Sequence, residues 1–364
     1  MRAAVLRKTS AAFPEVMIED VEVDKPRSRE VLVRTAATGV CHSDLHYIKG
    51  DSVMAMPAVL GHEGAGIVEA VGDQVTYVKP GDHVIVCISA FCGHCERCLS
   101  GHPHRCVNRF ELYRSPDDTP RLTWHGGERL SQHAGISTFA EQMLVHENSL
   151  VKIREDMPLD RAALIGCAVT TGLGAVFHTA AVEPGSTVAV FGAGGIGLSV
   201  IQGARIAGAR MVIAVDVLEH KLATAKQFGA THVVDASSRD AVQAIRDMTG
   251  GGVDYSFEAI GLKQTYLQAF DSITVDGTAT IIGLMPVGEK LEVEGRMFLR
   301  GRFQGSMMGS NRFRIDMPRY IDFYMQGRLN LDDMVTRRAP LDGVNEAFRA
   351  MEAGEVVRTV LTFD

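Results

Sequence analysis

Seven cysteines are spread unevenly over 364 residues, and their placement is the first sign of chemistry. Cys92, Cys95 and Cys98 stand in CGHCERC, and Cys106 follows closely. Such short spacings let one looped segment wrap a tetrahedral ion, and four thiolates satisfy a closed structural zinc site. Iron–sulfur ligation uses similar runs and is the chemical rival. A zinc ribbon in a nucleic-acid binder is the other rival. An odd, tightly clustered set does not fit a secreted disulfide framework. Three further residues look like an open metal site: Cys41 in GVCHSDLH, His62 in LGHEGAG and Cys167 in IGCAVTTG. Taken singly each is weak, because a lone cysteine behaves as a small core residue. Cys87 matches no ligand motif and is expected in the core.

A second constellation points to a dinucleotide. Gly192-Ala193-Gly194-Gly195-Ile196-Gly197 fits G-x-G-x-x-G, follows the strand-like TVAVF and opens the helix-like LSVIQGA. Gly192 permits a tight turn, Gly194 lets backbone approach a pyrophosphate, and Gly197 allows close helix packing. The helix N-terminus then offers free N–H donors and a partial positive charge to the phosphates. Asp216 ends the next strand, IAVD, where a carboxylate can bind both adenosine ribose hydroxyls and repel a 2′-phosphate. This favours NAD over NADP, and Lys221 could reach the same ribose.

These residues need elements to position them. Up to about residue 150 the chain carries short valine-rich runs broken by turns (EVLVRTAATGV, GAGIVEAVG, GDHVIVCIS, AEQMLVHENSLVKI), which predicts a β-rich unit. From Ser186 strand and helix alternate: STVAVFG, GGIGLSVIQGARIAGA, MVIAVDV, EHKLATAKQFGA, THVVDA, DAVQAIRDMTGG, VDYSFEAIG, TATIIGLM. Strands joined by single helices predict parallel pairing in a doubly wound sheet, hence an α/β chain. The final 55 or so residues lose this rhythm and are expected to rejoin the first domain. The stretches 162–182 and 184–204 carry no charge, but both are expected as buried elements rather than membrane spans. The polar region 108–135 is expected to be a long surface loop. A net charge of −7 argues against coating nucleic acid. The N-terminus shows no signal-like apolar stretch, so a soluble, reducing, cytoplasmic setting is expected.

The motifs GVCHSDLH, GHEGAGIVEAVG, GDHV, the four-cysteine loop, GCAVTTG, VFGAGGIG and VVRTVLTF, in this order, resemble the zinc-dependent medium-chain alcohol dehydrogenases across essentially the whole chain. The resemblance implies a GroES-like β-rich catalytic domain, residues 1–168 and 308–364, holding two zinc ions. It implies a Rossmann NAD-binding domain over residues 169–307. Cys41, His62 and Cys167 would hold the catalytic zinc, and Cys92, Cys95, Cys98 and Cys106 the structural one. Asp44 would orient His62, and Glu63 could approach the metal. Ser43 would bond the substrate hydroxyl, and the proton would pass by the nicotinamide ribose to His46. His42 and Arg358 match pyrophosphate-binding positions, and Thr171 would pack on the nicotinamide. Ile88, Ser52, His133, Ala134 and Leu284 are expected near the substrate.

An Ile at position 88 with Ala134 implies a wide pocket, suited to medium-length or aromatic primary alcohols. The closest rival is a glutathione- or mycothiol-dependent formaldehyde dehydrogenase, for which Asp51 with Arg109 or Arg114 could bind the thiol adduct. A zinc-stabilised NAD-binding regulatory protein is the non-enzyme rival, and the zinc-free quinone reductases lack these ligands. No nucleic-acid or membrane partner is expected, and the resemblance implies a homodimer or homotetramer.

Overall fold

The computed structural model describes residues 1–10 and 15–363. The chain divides into two compact units, Met1–Cys167 with Arg312–Gln326 and Leu331–Asp364, and Ala168–Asn311 with Gly327–Asn330. The second unit is thus inserted in sequence between stretches of the first.

The first unit is built mostly on antiparallel strands, with Val335–Ala339 parallel to Arg358–Thr362. Its main sheet runs Leu150–Lys152, His83–Val86, Glu63–Val71, Glu30–Gly39, Arg358–Thr362, Val335–Ala339, with Gln142–His146 also paired to Glu30–Gly39. Alternation of valines puts Val31, Val33, Val68, Val84, Val86 and Val145 into one buried cluster, as a half-buried strand requires. Register then does something local and useful. Gly39 pairs with Glu63 at the end of the Glu30–Gly39/Glu63–Val71 ladder. Cys41, just past one strand, and His62, just before the other, are thereby brought side by side. A smaller sheet orders Ser131–Gln132, Ala58–Val59, Arg2–Leu6 and Met17–Asp20.

The region 108–135 is not a loose surface loop, which corrects the expectation from its polarity. It forms the short strands Leu122–Trp124 and Glu128–Arg129 and buries Leu112, Leu122 and Leu130. Two of its arginines point inward: Arg121 Nε lies 2.7 Å and Arg114 Nη2 2.5 Å from the Glu30 carboxylate, and Arg114 Nη1 lies 2.5 Å from Asp24. Polar composition misleads here because the arginines are spent on a buried partner instead of on water.

A continuous helix, Leu159–Thr179, carries the passage between the units, and 83% of its most apolar window is buried in the protein. It alternates α-helical Leu159–Leu164 and Thr170–Gly174 with π-helical Ile165–Val169 and Ala175–Thr179. Cys167 stands in the first π turn. Such turns insert a residue and re-aim the side chains around it.

In the second unit six parallel strands lie in the order His232–Asp235, Met211–Asp216, Thr187–Phe191, Val253–Glu258, Ile273–Ile281, Arg302–Gly305. In chain order this is 3-2-1-4-5-6, the doubly wound dinucleotide-binding arrangement. Phe191, Ile213, Val215, Val234, Ile245 and Phe270 form its core. Helix Ala241–Thr249 shows the local logic: Asp240 caps it by accepting from Gln243 N at 3.0 Å, and Gly250 ends it in the left-handed region at φ 76°. Helix Lys263–Asp271 and strand Arg302–Gly305 carry no clear hydrophobic period and were not expected from the sequence.

Candidate functional site

In the first unit, one ligand atom each from Cys41, His62, Glu63 and Cys167 fall within 4.8 Å of one another, all four residues being buried. Among the described residues, both His62 ring nitrogens, both Glu63 carboxylate oxygens and Asp44 Oδ2 have no hydrogen-bond partner. Buried polar atoms left this way are costly unless something else satisfies them. Two thiols, an imidazole and a carboxylate converging on one point form a donor set that suits zinc. The Glu63 carboxyl is pushed up to about 8 by burial, which the Arg358 guanidinium 3.6 Å away only partly opposes. Arg358 is itself buried and donates to Val40 O at 3.1 Å.

Asp44 sits fully buried behind this cluster. Its Oδ2 lies 3.1 Å from His62 Nδ1, while its Oδ1 accepts from Gly61 N at 2.9 Å and pairs with His133 Nδ1 at 2.9 Å. Burial opposes its ionisation, but His62 and His133 outweigh this and hold the carboxyl at about 2.

The helix His42–Lys49 begins at Cys41 and presents His42, Ser43 and His46. His42 is exposed, and Ser43 and His46 are half-buried. Ser43 Oγ lies 3.8 Å from the Cys41 sulfur. Ser43 and His46, three residues apart, share a helix face. His46 Nδ1 lies 3.1 Å from Asp51 Oδ2. That pairing was not legible in the sequence, where Asp51 stood as a candidate for binding a thiol adduct. Arg114, one of the two arginines expected with it, is occupied by Glu30 and Asp24, whereas Arg109 is half-buried beside the Phe110 ring.

Cys92, Cys95, Cys98 and Cys106 form a second cluster with ligand atoms within 4.8 Å. Sulfur separations are 3.9 Å for Cys92–Cys98, 3.5 Å for Cys95–Cys98 and 3.9 Å for Cys95–Cys106. Four sulfurs on a tetrahedral zinc at about 2.3 Å would stand roughly 3.8 Å apart. None of the seven cysteines is in a disulfide. Backbone N–H groups of Cys92 and Cys95 point at the sulfurs of Cys106 and Cys92 at 3.2 and 3.3 Å. Backbone donors at Cys98 and Val107 hold the Cys95 thiol down at about 6. Cys87 lies in the core, where burial raises its thiol to about 11.

The second unit presents the glycine-rich turn between Thr187–Phe191 and helix Gly195–Ile206. Gly192 has φ 94°, a turn conformation that a side chain would strain. A Cβ on Gly197 would stand 1.7 Å from the Gly192 carbonyl oxygen, so Gly197 packs against the turn itself. Around Gly194 there is open space. The helix opens with Gly195 buried and Ile196 half-buried, and no side chain caps its N-terminus. Its first N–H groups are therefore available to an anion. Asp216 Oδ2 accepts from Ala193 N at 2.8 Å, and its Oδ1 accepts from Val217 N and Leu218 N at 2.8 and 3.1 Å. The same carboxylate thus ties the turn to the end of the second strand. Lys221 is half-buried on helix Glu219–Gln227, and Thr171 is buried with its hydroxyl 3.5 Å from Met308 Sδ.

Of the residues expected near substrate, Ile88 packs half-buried on the valine cluster of the first unit. Ala134 holds the left-handed region at φ 50°, with its carbonyl accepting from Tyr113 Oη at 3.1 Å. Ser52 is half-buried, and Leu284, in the second unit, is 57% exposed. His133 is buried on Asp44 rather than standing at a surface.

Comparison with known proteins agrees with this geometry. Residues 27–155 match the alcohol dehydrogenase GroES-like domain, and residues 195–325 match the zinc-binding dehydrogenase family. An alcohol dehydrogenase zinc-binding domain protein from Burkholderia ambifaria is 37% identical with a TM-score of 0.94, over 100% of this chain and 98% of that one. Benzyl alcohol dehydrogenase from Acinetobacter calcoaceticus is 32% identical with a TM-score of 0.91, over 100% and 99%. A zinc-binding dehydrogenase from Sinorhizobium meliloti 1021 bound to NADP is 29% identical with a TM-score of 0.81, over 100% and 99%. A GroES-like unit carrying two clusters of zinc-type donors, joined to a Rossmann-like unit with its glycine turn, makes this chain a member of the zinc-dependent medium-chain alcohol dehydrogenase family, an oxidoreductase.

Proposed function

We propose that the protein is a two-zinc, NAD-dependent alcohol dehydrogenase that interconverts primary medium-chain or aromatic alcohols with their aldehydes. The observation that carries the reading is the convergence of Cys41, His62, Glu63 and Cys167 within 4.8 Å, beside the Ser43 hydroxyl. Cys41, His62 and Cys167 would hold the catalytic zinc, and Cys92, Cys95, Cys98 and Cys106 would hold the structural one. When bound, the zinc supplies Lewis-acid polarisation of the substrate oxygen and the nicotinamide supplies the hydride acceptor.

The chain's own residues do the rest. Asp44 orients the His62 ring through Nδ1. Ser43 would accept a hydrogen bond from the substrate hydroxyl and take its proton while releasing its own toward His46. His46 receives that proton at Nε2, because Asp51 holds Nδ1 in its protonated tautomer. His42 and Arg358 supply positive charge for the coenzyme phosphates, and Thr171 packs on the nicotinamide. Asp216 takes the adenosine ribose hydroxyls, which supports NAD over NADP, although one similar structure holds NADP. The likeness to a benzyl alcohol dehydrogenase supports an aromatic substrate. Arg114, bound to Glu30 and Asp24, is lost to the thiol-adduct reading, which keeps Arg109. A cytoplasmic homodimer or homotetramer completes the proposal.

The test combines metal analysis with reduction of NAD and NADP across primary, secondary, aromatic and hydroxymethyl-thiol substrates. Two zinc ions per chain and NAD reduction by primary or aromatic alcohols are expected. One zinc per chain, turnover confined to thiol adducts, or preference for NADP would each overturn the corresponding part.

A further inference from the structure

Asp44 has more partners than a zinc-ligand orienter needs. Its carboxylate is wholly buried, and three groups from two chain segments reach it: the Gly61 N–H at 2.9 Å and the neighbouring His62 Nδ1 at 3.1 Å, and His133 Nδ1 at 2.9 Å. The first two converge on Oδ1 and leave Oδ2 to His62. His133 is in turn held on every side. Its backbone N–H donates to Ser137 Oγ at 3.0 Å, and that hydroxyl donates to Val59 O at 2.6 Å. Its ring meets the Tyr47 ring edge-on at 4.7 Å and the His62 ring edge-on at 4.9 Å.

From this geometry we infer that His133 is a positioning residue for the catalytic zinc ligand, acting through Asp44. The inference rests on the reading that His62 binds zinc. Donation from His133 Nδ1–H fixes that ring's tautomer and saturates Oδ1 together with Gly61. The carboxylate then cannot rotate without losing two buried hydrogen bonds, each costly to break. Oδ2 stays beside His62 Nδ1, 3.1 Å away, and the ring stays placed against the cluster of Cys41, Glu63 and Cys167. Remove the His133 donor and Asp44 keeps a single anchor on Oδ1, so the His62 ring loses its fixed orientation. Partners that orient a metal-bound histidine change metal affinity by about 10- to 100-fold.

The experiment compares wild type, His133→Leu and His133→Asn as purified full-length protein. Zinc release to a chelator is followed in time, and the cobalt-substituted proteins are compared by visible absorption. Asparagine can donate from Nδ2 to Asp44, while leucine cannot. The Leu variant is expected to lose one zinc on the order of 10-fold faster or more, with an altered cobalt spectrum. Its second zinc should be released at the wild-type rate. The Asn variant should recover most of both properties. Identical release and spectra for Leu and wild type would overturn the inference. So would an Asn variant as impaired as Leu, because that would assign His133 to ring packing alone. Should the Leu variant fail to fold, the Asn variant against wild type decides on the same readouts. Wild-type protein that holds zinc only at the four-cysteine loop overturns the underlying reading itself, and that is seen before any variant is made.

Discussion

Ser43 and Asp216 show how much one side chain decides. Ser43 hangs beside the Cys41 sulfur on the first turn of a helix that also carries His46, so a substrate oxygen at the metal would meet its hydroxyl. Replacing Ser43 by Ala is expected to lower kcat by about 10²- to 10⁴-fold while the dissociation constant for NAD stays unchanged. Steady-state kinetics with coenzyme titration by fluorescence checks this, and wild-type turnover would remove Ser43 from the proton path. Asp216 has a double duty. Its carboxylate ties Ala193 N to the end of the second strand and is the group proposed to meet the ribose. Asp216→Ser should therefore reduce the preference for NAD over NADP by about 10- to 100-fold, measured as the ratio of kcat/KM values. An unchanged ratio would mean that the carboxylate serves the turn alone.

At the scale of elements, the segment 108–135 is pinned by charge. Arg121 and Arg114 close on Glu30, which also accepts from Arg27 N at 3.1 Å. Burial raises the Glu30 carboxyl, but hydrogen bonding to Arg114 and the charge of Arg121 more than reverse this, so it titrates below its ordinary value. The sign follows from linkage. A depressed folded value stabilises fully above the unfolded carboxyl pKa of about 4.3, and this is lost as pH falls through the lower folded value. Glu30→Gln leaves buried Arg121 without its carboxylate and Arg114 with Asp24 alone, and is expected to cost about 3 kcal/mol near neutral pH. Its melting temperature should also fall less steeply than wild type below about pH 4. Thermal melts from pH 3 to 8 test both arms, and parallel curves for the two proteins would contradict the linkage. The helix Leu159–Thr179 makes a different point at this scale. Its apolar composition announces a buried helix, yet the π turn that carries Cys167 has no signature in residue type.

For the whole molecule, closure of the first unit depends on the last strand of the chain. Arg358–Thr362 lies between Glu30–Gly39 and Val335–Ala339 and brings Val360 and Leu361 into the core. Burying two such side chains is worth about 3–6 kcal/mol, a large share of the about 5–15 kcal/mol that holds a domain together. Removing residues 357–364 should therefore abolish the cooperative melt of the first unit and the catalytic metal centre together. Circular dichroism and zinc content report on both. A truncated chain that melts like wild type would show that the sheet closes without this strand.

The sequence by itself determined the β-rich unit, the alternating strands and helices, the glycine turn with Asp216 beyond it, and the four-cysteine loop. Each is local: valine alternation, strand–helix rhythm and short ligand spacing are properties of neighbouring residues. The tertiary structure decided what depends on contacts far apart in the chain. It set Cys41 beside His62 through strand register and turned Cys167 toward them from a π turn. It folded a polar segment inward onto Glu30. It also gave Asp44 a second imidazole, from His133, 89 residues along the chain. Motif resemblance had already grouped Cys41, His62 and Cys167, but the pairings of Glu30 with Arg114 and Arg121 and of Asp44 with His133 carry no such signature, because their partners are chosen by sheet register and burial and not by sequence distance.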